Sequence, residues 1–226
     1  MSKQRPLDGS AVIPPRGSGR LGAARRSSAF IYLASQSPRR RQLLEQIGVR
    51  YELLLPRPDE DAEGLEAERV GEWPAAYVER VTRAKLDAAR ARLKASGLPP
   101  APILCSDTTV ALGRRILGKP ADAAEAIATL TLLAGKTHRV ITAVAIASGR
   151  REWLAVSTSR VRIGAIPRAA IERYVASGDA FGKAGSYAIQ SAFAAWVECI
   201  DGSHSGIMGL PLFETAELLR KAGVTF

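Results

Sequence analysis

The sequence predicts an α/β protein built on a mixed β-sheet flanked by helices. Short β-branched runs alternate with stretches whose apolar residues recur at helical spacing, the pattern of strands joined by crossover helices. Hairpin patterns interrupt that alternation, so some strand pairs must be antiparallel. With 226 residues, 46% of them hydrophobic, the chain can bury one sizeable core. No apolar run approaches the roughly 20 residues that a helical bilayer span requires, which argues against a membrane protein.

The elements follow in order. Residues 30–34 read as a buried strand, with Ser37 at an N-cap position and Pro38 at the first helical position. Leu43, Leu44 and Ile47 continue that helix until Gly48 stops it. Residues 51–55 form the second expected strand, broken by Pro56, Arg57 and Pro58, and the acidic stretch 59–63 reads as a loop. A long helix is expected over 74–95, ended by Gly97, Pro99 and Pro100. Residues 103–106 read as a strand that stops at Asp107. The segments 109–112 and 116–117 then flank Gly113-Arg114-Arg115 as a hairpin. Residues 121–133 are helical. The runs 140–147 and 154–163 have the β-branched content of paired strands joined by a turn over 148–152. Helices over 167–177 and 211–222 leave residues 187–200 as loop plus strand.

The formal charge of +10 is unevenly placed. Residues 1–28 hold six basic side chains against Asp8 alone, so half of the excess sits there. That segment is rich in Gly, Pro, Ser and Arg and lacks periodicity, which predicts a disordered basic extension ahead of one domain over 29–226. Pro14, Pro15, Gly17 and Gly19 would interrupt the amphipathic helix of a transit peptide, and no apolar run follows that would make a secretory signal. The extension has no interleaved aromatics, so charge-driven nucleic-acid binding ranks last among the functional readings. Cys105 and Cys199 are too few for a disulfide framework and read as small buried hydrophobes in a reducing compartment. His138 and His204 have no neighbours at zinc-ligand spacing.

Candidate chemistry begins at Ser35-Gln-Ser-Pro-Arg39-Arg40-Arg41. A helix N-terminus offers unpaired N–H groups and a positive dipole end to an anion. Ser35 and Ser37 add hydroxyls there, and Arg39 and Arg40 add planar cations. Equally, the segment reads as a capped helix with solvated arginines. Asp107 could ligate Mg²⁺ or accept a proton from water, or could merely cap a turn. Lys85 on the Val78/Val81 stripe and Lys119 before Pro120 could reach phosphate or snorkel to solvent. Gln190 could read the edge of a base, or lie idle on the surface. No P-loop, dinucleotide fingerprint or HxE zinc motif is present.

The order of these pieces decides between the alternatives. Leu33-Ala-Ser-Gln-Ser-Pro-Arg-Arg-Arg-Gln-Leu-Leu44, residues 77–85, Ser106-Asp-Thr108, Gly118-Lys-Pro120, Gly135-Lys-Thr-His138, Lys183-Ala-Gly-Ser-Tyr-Ala-Ile-Gln190 and Gly209-Leu-Pro-Leu212 closely resemble the Maf family over residues 29–226. The resemblance implies a fold of two lobes with a deep cleft between them, related to inosine-triphosphate pyrophosphatases. It also implies hydrolysis of a nucleoside triphosphate to the monophosphate and pyrophosphate, aided by a divalent metal (Mg or Mn), with a role in clearing non-standard nucleotides. Members are cytoplasmic and often homodimeric.

Residue by residue, the resemblance implies Asp107 as proton acceptor and, with Glu60, as metal ligand. Ser35, Arg40, Lys85 and Lys119 match phosphate-handling positions. Arg39, Thr108 and Gln190 match the positions that sort the family by substrate; they carry the residues of dTTP/UTP pyrophosphatases, whereas the 7-methyl-GTP branch has Trp, Gln and Glu. Cys105-Ser106 departs from the usual Gly-Ala, and Ser191 from a glycine, with consequences for loop backbone and cleft width. A non-catalytic regulator of septum formation is the competing reading, and the intact acid and lysine positions argue against it.

Overall fold

The computed structural model describes residues 30–58, 60–61 and 64–226. The basic segment 1–28 and part of the acidic stretch 59–63 lie outside the described residues. The order is β1 (Ile31–Leu33), α1 (Pro38–Gln46), β2 (Tyr51–Leu53), α2 (Pro74–Ser96), β3 (Ile103–Leu112), β4 (Arg115–Leu117), α3 (Ala123–Leu133), β5 (Thr137–Ser148), β6 (Arg151–Ile163), α4 (Arg168–Ala176), β7 (Val197–Asp201), α5 (His204–Met208) and α6 (Leu212–Ala222). The seven strands form one mixed sheet in the order β2-β1-β3-β5-β6-β7, with β4 paired to β3. β1 runs parallel to β2 and β3, and every other pairing is antiparallel. The α/β mixed sheet expected from the sequence is therefore the fold observed. Among the described residues, no helix is long and apolar enough to cross a membrane.

The sheet has a gap in its middle. β1 pairs with β3 only at Ile103 and Leu104, and β4 pairs with it from Val110 to Leu112. Between them, residues 105–109 keep the β5 ladder on one side and have no strand on the other. The expectation that β3 ends at Asp107 is corrected here: the strand runs unbroken through it, because each residue from Ile103 to Ala111 has a β5 partner. Polar residues inside a buried strand mimic a strand end when only hydrophobicity is read.

The same polar stretch divides one face of the sheet. Leu104, Val144 and Ile146 pack with Leu43, Leu44, Leu218 and Leu219, under α1 and α6. Val110, Val140, Val161 and Ile163 pack with side chains of α3 and α4. Thr108, Thr142 and Ser157 lie side by side across β3, β5 and β6 between these clusters. The other face is covered by α2, whose Val78, Val81, Leu86 and Ala89 pack on Ile141, Ala143, Ala145 and Cys105.

Two local expectations change. The β5–β6 turn is tighter than 148–152, with Gly149 in the left-handed region between Ser148 and Arg151, so Arg151 and Glu152 belong to the strand. Cys199 is exposed on β7, whereas Cys105 is buried as expected. Helix α5 has too few residues to show apolar periodicity; it is started by Ser203, whose hydroxyl accepts from the Gly206 N–H.

Gly185 ties the segment before Gln190 to the 118–120 turn through its N–H to the Gly118 carbonyl, 3.1 Å. Its φ is +72°, and a Cβ there would lie 2.9 Å from both Val110 methyl carbons. Gly185→Ala should therefore lower the unfolding free energy by about 2–4 kcal/mol, read from urea denaturation. A loss below about 0.5 kcal/mol would show that this backbone can relax.

Candidate active site

All nine residues singled out in the sequence line one cavity of about 1130 Å³ at the gap in the sheet, room enough for a nucleoside triphosphate. One wall begins where β1 ends. Ser37 occupies the N-cap of α1 in an extended conformation, yet its side chain makes no cap hydrogen bond. The Ser37 N–H instead donates to Ser35 Oγ at 3.2 Å. The start of this nine-residue helix thus keeps donors directed at the cavity and its positive dipole end uncompensated. Arg39 also lines the cavity.

Arg40 turns inward. Its Nε donates to the Gly209 carbonyl at 2.8 Å, Nη1 to Ser35 Oγ at 3.2 Å, and Nη2 to Thr108 Oγ1 at 3.5 Å. Burial pulls its guanidinium below the ordinary value, and the nearby Asp107 charge pulls it back up. Three of its five N–H groups are engaged, which leaves two that can meet a ligand.

The opposite wall carries the other cations. Lys85 of α2 donates to Asp107 Oδ1 at 2.6 Å and to Glu66 Oε1 at 2.7 Å. Lys119, which follows β4, donates to Glu66 Oε2 at 2.8 Å. Burial pushes the Glu66 carboxyl up, and the two lysines outweigh it, so the group stays below the usual carboxylate range. Glu66 was not singled out in the sequence. It is one acid among several between residues 59 and 72, and only the 3-10 turn Gly64–Glu66 aims it at the lysines. Glu60 lines the cavity but is held by Arg92, whose Nε donates to its two oxygens at 3.0 and 3.2 Å. Those bonds keep the Glu60 carboxyl at about 2.

Thr142 Oγ1 donates to the Gly206 carbonyl at 2.7 Å and directs the same hydroxyl toward Thr108 Oγ1 at 2.9 Å. Thr108 Oγ1 also accepts from Arg40 Nη2. Thr108 therefore accepts from both neighbours, and its own hydroxyl proton can turn toward the cavity.

Gln190 is exposed at the far rim. The segment leading to it is braced from below. Tyr187 Oη lies 2.8 Å from His138 Nε2, and the Ala188 N–H donates to Tyr174 Oη at 3.2 Å. The arrangement joins donors suited to a polyanion, a carboxyl group beside a lysine, and polar groups at the rim and floor. Such a set suits charge stabilisation and proton transfer at a phosphate ester or anhydride.

Comparison with known proteins agrees with that chemistry. The family model described as "Maf-like protein" matches residues 30–222. A dTTP/UTP pyrophosphatase of Polaromonas sp. (strain JS666 / ATCC BAA-500) is 64% identical over 195 residues, covering 86% of this chain and 96% of that protein. One from Burkholderia pseudomallei (strain 1710b) is 63% identical over 202 residues, 88% of this chain and 97% of its own. One from Albidiferax ferrireducens is 60% identical over 196 residues, 87% and 98% of the two chains.

The brace under Gln190 has a pH signature. Burial pulls the His138 imidazole from 6.5 down to about 4. Above pH 6.5 the ring is neutral in both folded and unfolded chains and its contribution is complete. As pH falls from 6.5 towards 4, the unfolded chain takes up the proton first and stability is lost. Between pH 7 and 4.5 the native chain should lose about 2–3 kcal/mol more than His138→Gln, measured by urea unfolding. Equal losses would mean that His138 titrates as it does in the unfolded chain.

Proposed function

The chain belongs to the Maf family, and from that premise we propose that it hydrolyses nucleoside triphosphates, dTTP and UTP foremost, to the monophosphate and pyrophosphate. We assign that activity to one domain over 29–226. The observation that carries the proposal is the gathering, in one cavity, of the uncapped α1 start, Arg40, Lys85, Lys119 and Asp107. A triphosphate needs dispersed positive charge along its length, and an attacking water needs a carboxylate within hydrogen-bond reach. Both conditions are supplied within reach of β3.

In the mechanism, Ser35, Arg40 and the first N–H groups of α1 hold one part of the triphosphate, and Lys85 and Lys119 hold another. Asp107, only 8% exposed and hydrogen-bonded through Oδ1 to Lys85, orients a water molecule and takes its proton. The water oxygen forms a bond to the α-phosphorus while the bond from that phosphorus to the bridging oxygen breaks. Pyrophosphate leaves with the electron pair, already paired with lysine.

The residues present fit a divalent cation in part. Asp107 Oδ2 has no partner among the described residues and is a hard oxygen donor suited to Mg or Mn. Glu60 would first have to leave Arg92. No group of three His, Cys, Asp or Glu side chains converges on one point among the described residues, so phosphate oxygens would complete the coordination. When bound, the cation supplies neutralisation of phosphate charge. A cytoplasmic, homodimeric state rests on the family resemblance alone.

Base selection falls to Thr108, Gln190 and Arg39. A Thr108 hydroxyl whose proton can turn to the cavity can meet a carbonyl of thymine or uracil, and a Gln190 amide can pair with the N3–H beside it.

Two substitutions test the assignment. Asp107→Asn should reduce kcat for pyrophosphate release by about 100-fold or more with the circular dichroism spectrum unchanged. Undiminished turnover would remove Asp107 from the mechanism. Gln190→Glu should lower kcat/KM for dTTP and UTP by about tenfold relative to 7-methyl-GTP, and an unaltered ratio would refute its role in selection.

A further inference from the structure

Glu66 stands where a phosphate is expected. One carboxylate oxygen is 2.7 Å from Lys85 Nζ and the other is 2.8 Å from Lys119 Nζ. Two oxygens of one anion, each on a separate ammonium group, reproduce what two non-bridging phosphate oxygens would do there. The carboxylate is not on a loose strand of chain. The Tyr77 hydroxyl donates to the Glu66 carbonyl at 2.9 Å, and Arg80 donates to the Ala67 carbonyl at 2.9 Å while pairing with Glu72. The Gly64 N–H closes the turn on Asp61 Oδ1 at 2.8 Å. Backbone anchoring therefore delivers the side chain to the lysines, and only its own rotations need change for it to leave.

We propose that Glu66 is an internal competitor for the phosphate seat, occupying Lys85 and Lys119 until the triphosphate displaces it and returning as pyrophosphate departs. The inference rests on the phosphate-binding role given to these lysines above. Lys85 does not lose its orientation in the exchange, because Asp107 holds it independently at 2.6 Å. Lys119 has no second carboxylate among its recorded partners, so it is the cation that the exchange frees most completely. A competitor of this kind weakens substrate and product alike, which raises KM and hastens pyrophosphate release without touching the chemical step.

The test is calorimetric titration of inorganic pyrophosphate into the full chain without added metal. Glu66→Gln and Glu66→Ala should each bind pyrophosphate about tenfold or more tightly than the native chain. Glu217→Gln, which removes the same charge from the exposed face of α6, should not. In a Lys119→Ala background the tightening should largely vanish, since the competition runs through that ammonium group. Binding that is equal or weaker in Glu66→Gln overturns the proposal. So does tightening that survives in Lys119→Ala, which would mean repulsion at a distance. If neither the native chain nor any variant binds pyrophosphate, the phosphate seat itself is wrong and the proposal falls with it.

Discussion

A guanidinium half withdrawn from water needs acceptors, and much of the site follows from where Arg40 finds them. Charge-assisted hydrogen bonds from a planar fork are directional, so the acceptors are not interchangeable. They come from three distant parts of the chain: Ser35 after β1, Thr108 in the middle of β3, and the Gly209 carbonyl between α5 and α6. Gly209 meets the demand only as glycine. Its φ is +116°, and a Cβ would stand 3.4 Å from Arg40 Nε. Ser106 donates to the same carbonyl at 2.9 Å, so the strand and the arginine hold one peptide between them. This one side chain ties α1, β3 and the α5–α6 link together.

The two walls of the cavity then use cations in different ways. Arg40 is planar and multiply anchored, which makes it a fixed part of the wall. Lys85 and Lys119 are single charges on flexible stems, paired with carboxylates they can exchange for another anion. A site that must grip a polyanion and then release a second one benefits from both kinds. In the proposed reaction the fixed cation would keep the geometry while the exchangeable ones follow the anion.

What could be read from the sequence divides along physical lines. Helices α1, α2 and α6 and the long strands were legible because apolar periodicity and Gly/Pro punctuation are local. The cavity-lining set was legible by motif order, which reached Asp107, Lys85 and Lys119 although no spacing rule links them. The continuity of β3 was not, because Ser106, Asp107 and Thr108 satisfy β5 rather than a hydrophobic pattern. Glu66 was hidden for the opposite reason: its stretch is crowded with acids, and its address depends on bonds from Tyr77 and Arg80 to the backbone around it. Glu60 was legible as an acid near the site, but its engagement by Arg92, which lies 32 residues on, is a tertiary fact.

The gap along β3 shows why the site sits where the sheet is least complete. An unpaired strand edge is normally a hazard, blunted by charge, by short length or by cover. Here the exposed run is confined to residues 105–109 and bounded by β1 on one side and β4 on the other. One face of that run offers Thr108 beside Arg40, and the other offers Asp107 beside Lys85. Because successive side chains of a strand point to opposite faces, adjacent residues present the Thr108 hydroxyl on one face and the Asp107 carboxylate on the other. Filling the gap with another strand would satisfy the backbone and close the cavity. Leaving it open sacrifices sheet pairing over five residues on that side, while β5 pairs with every one of them on the other.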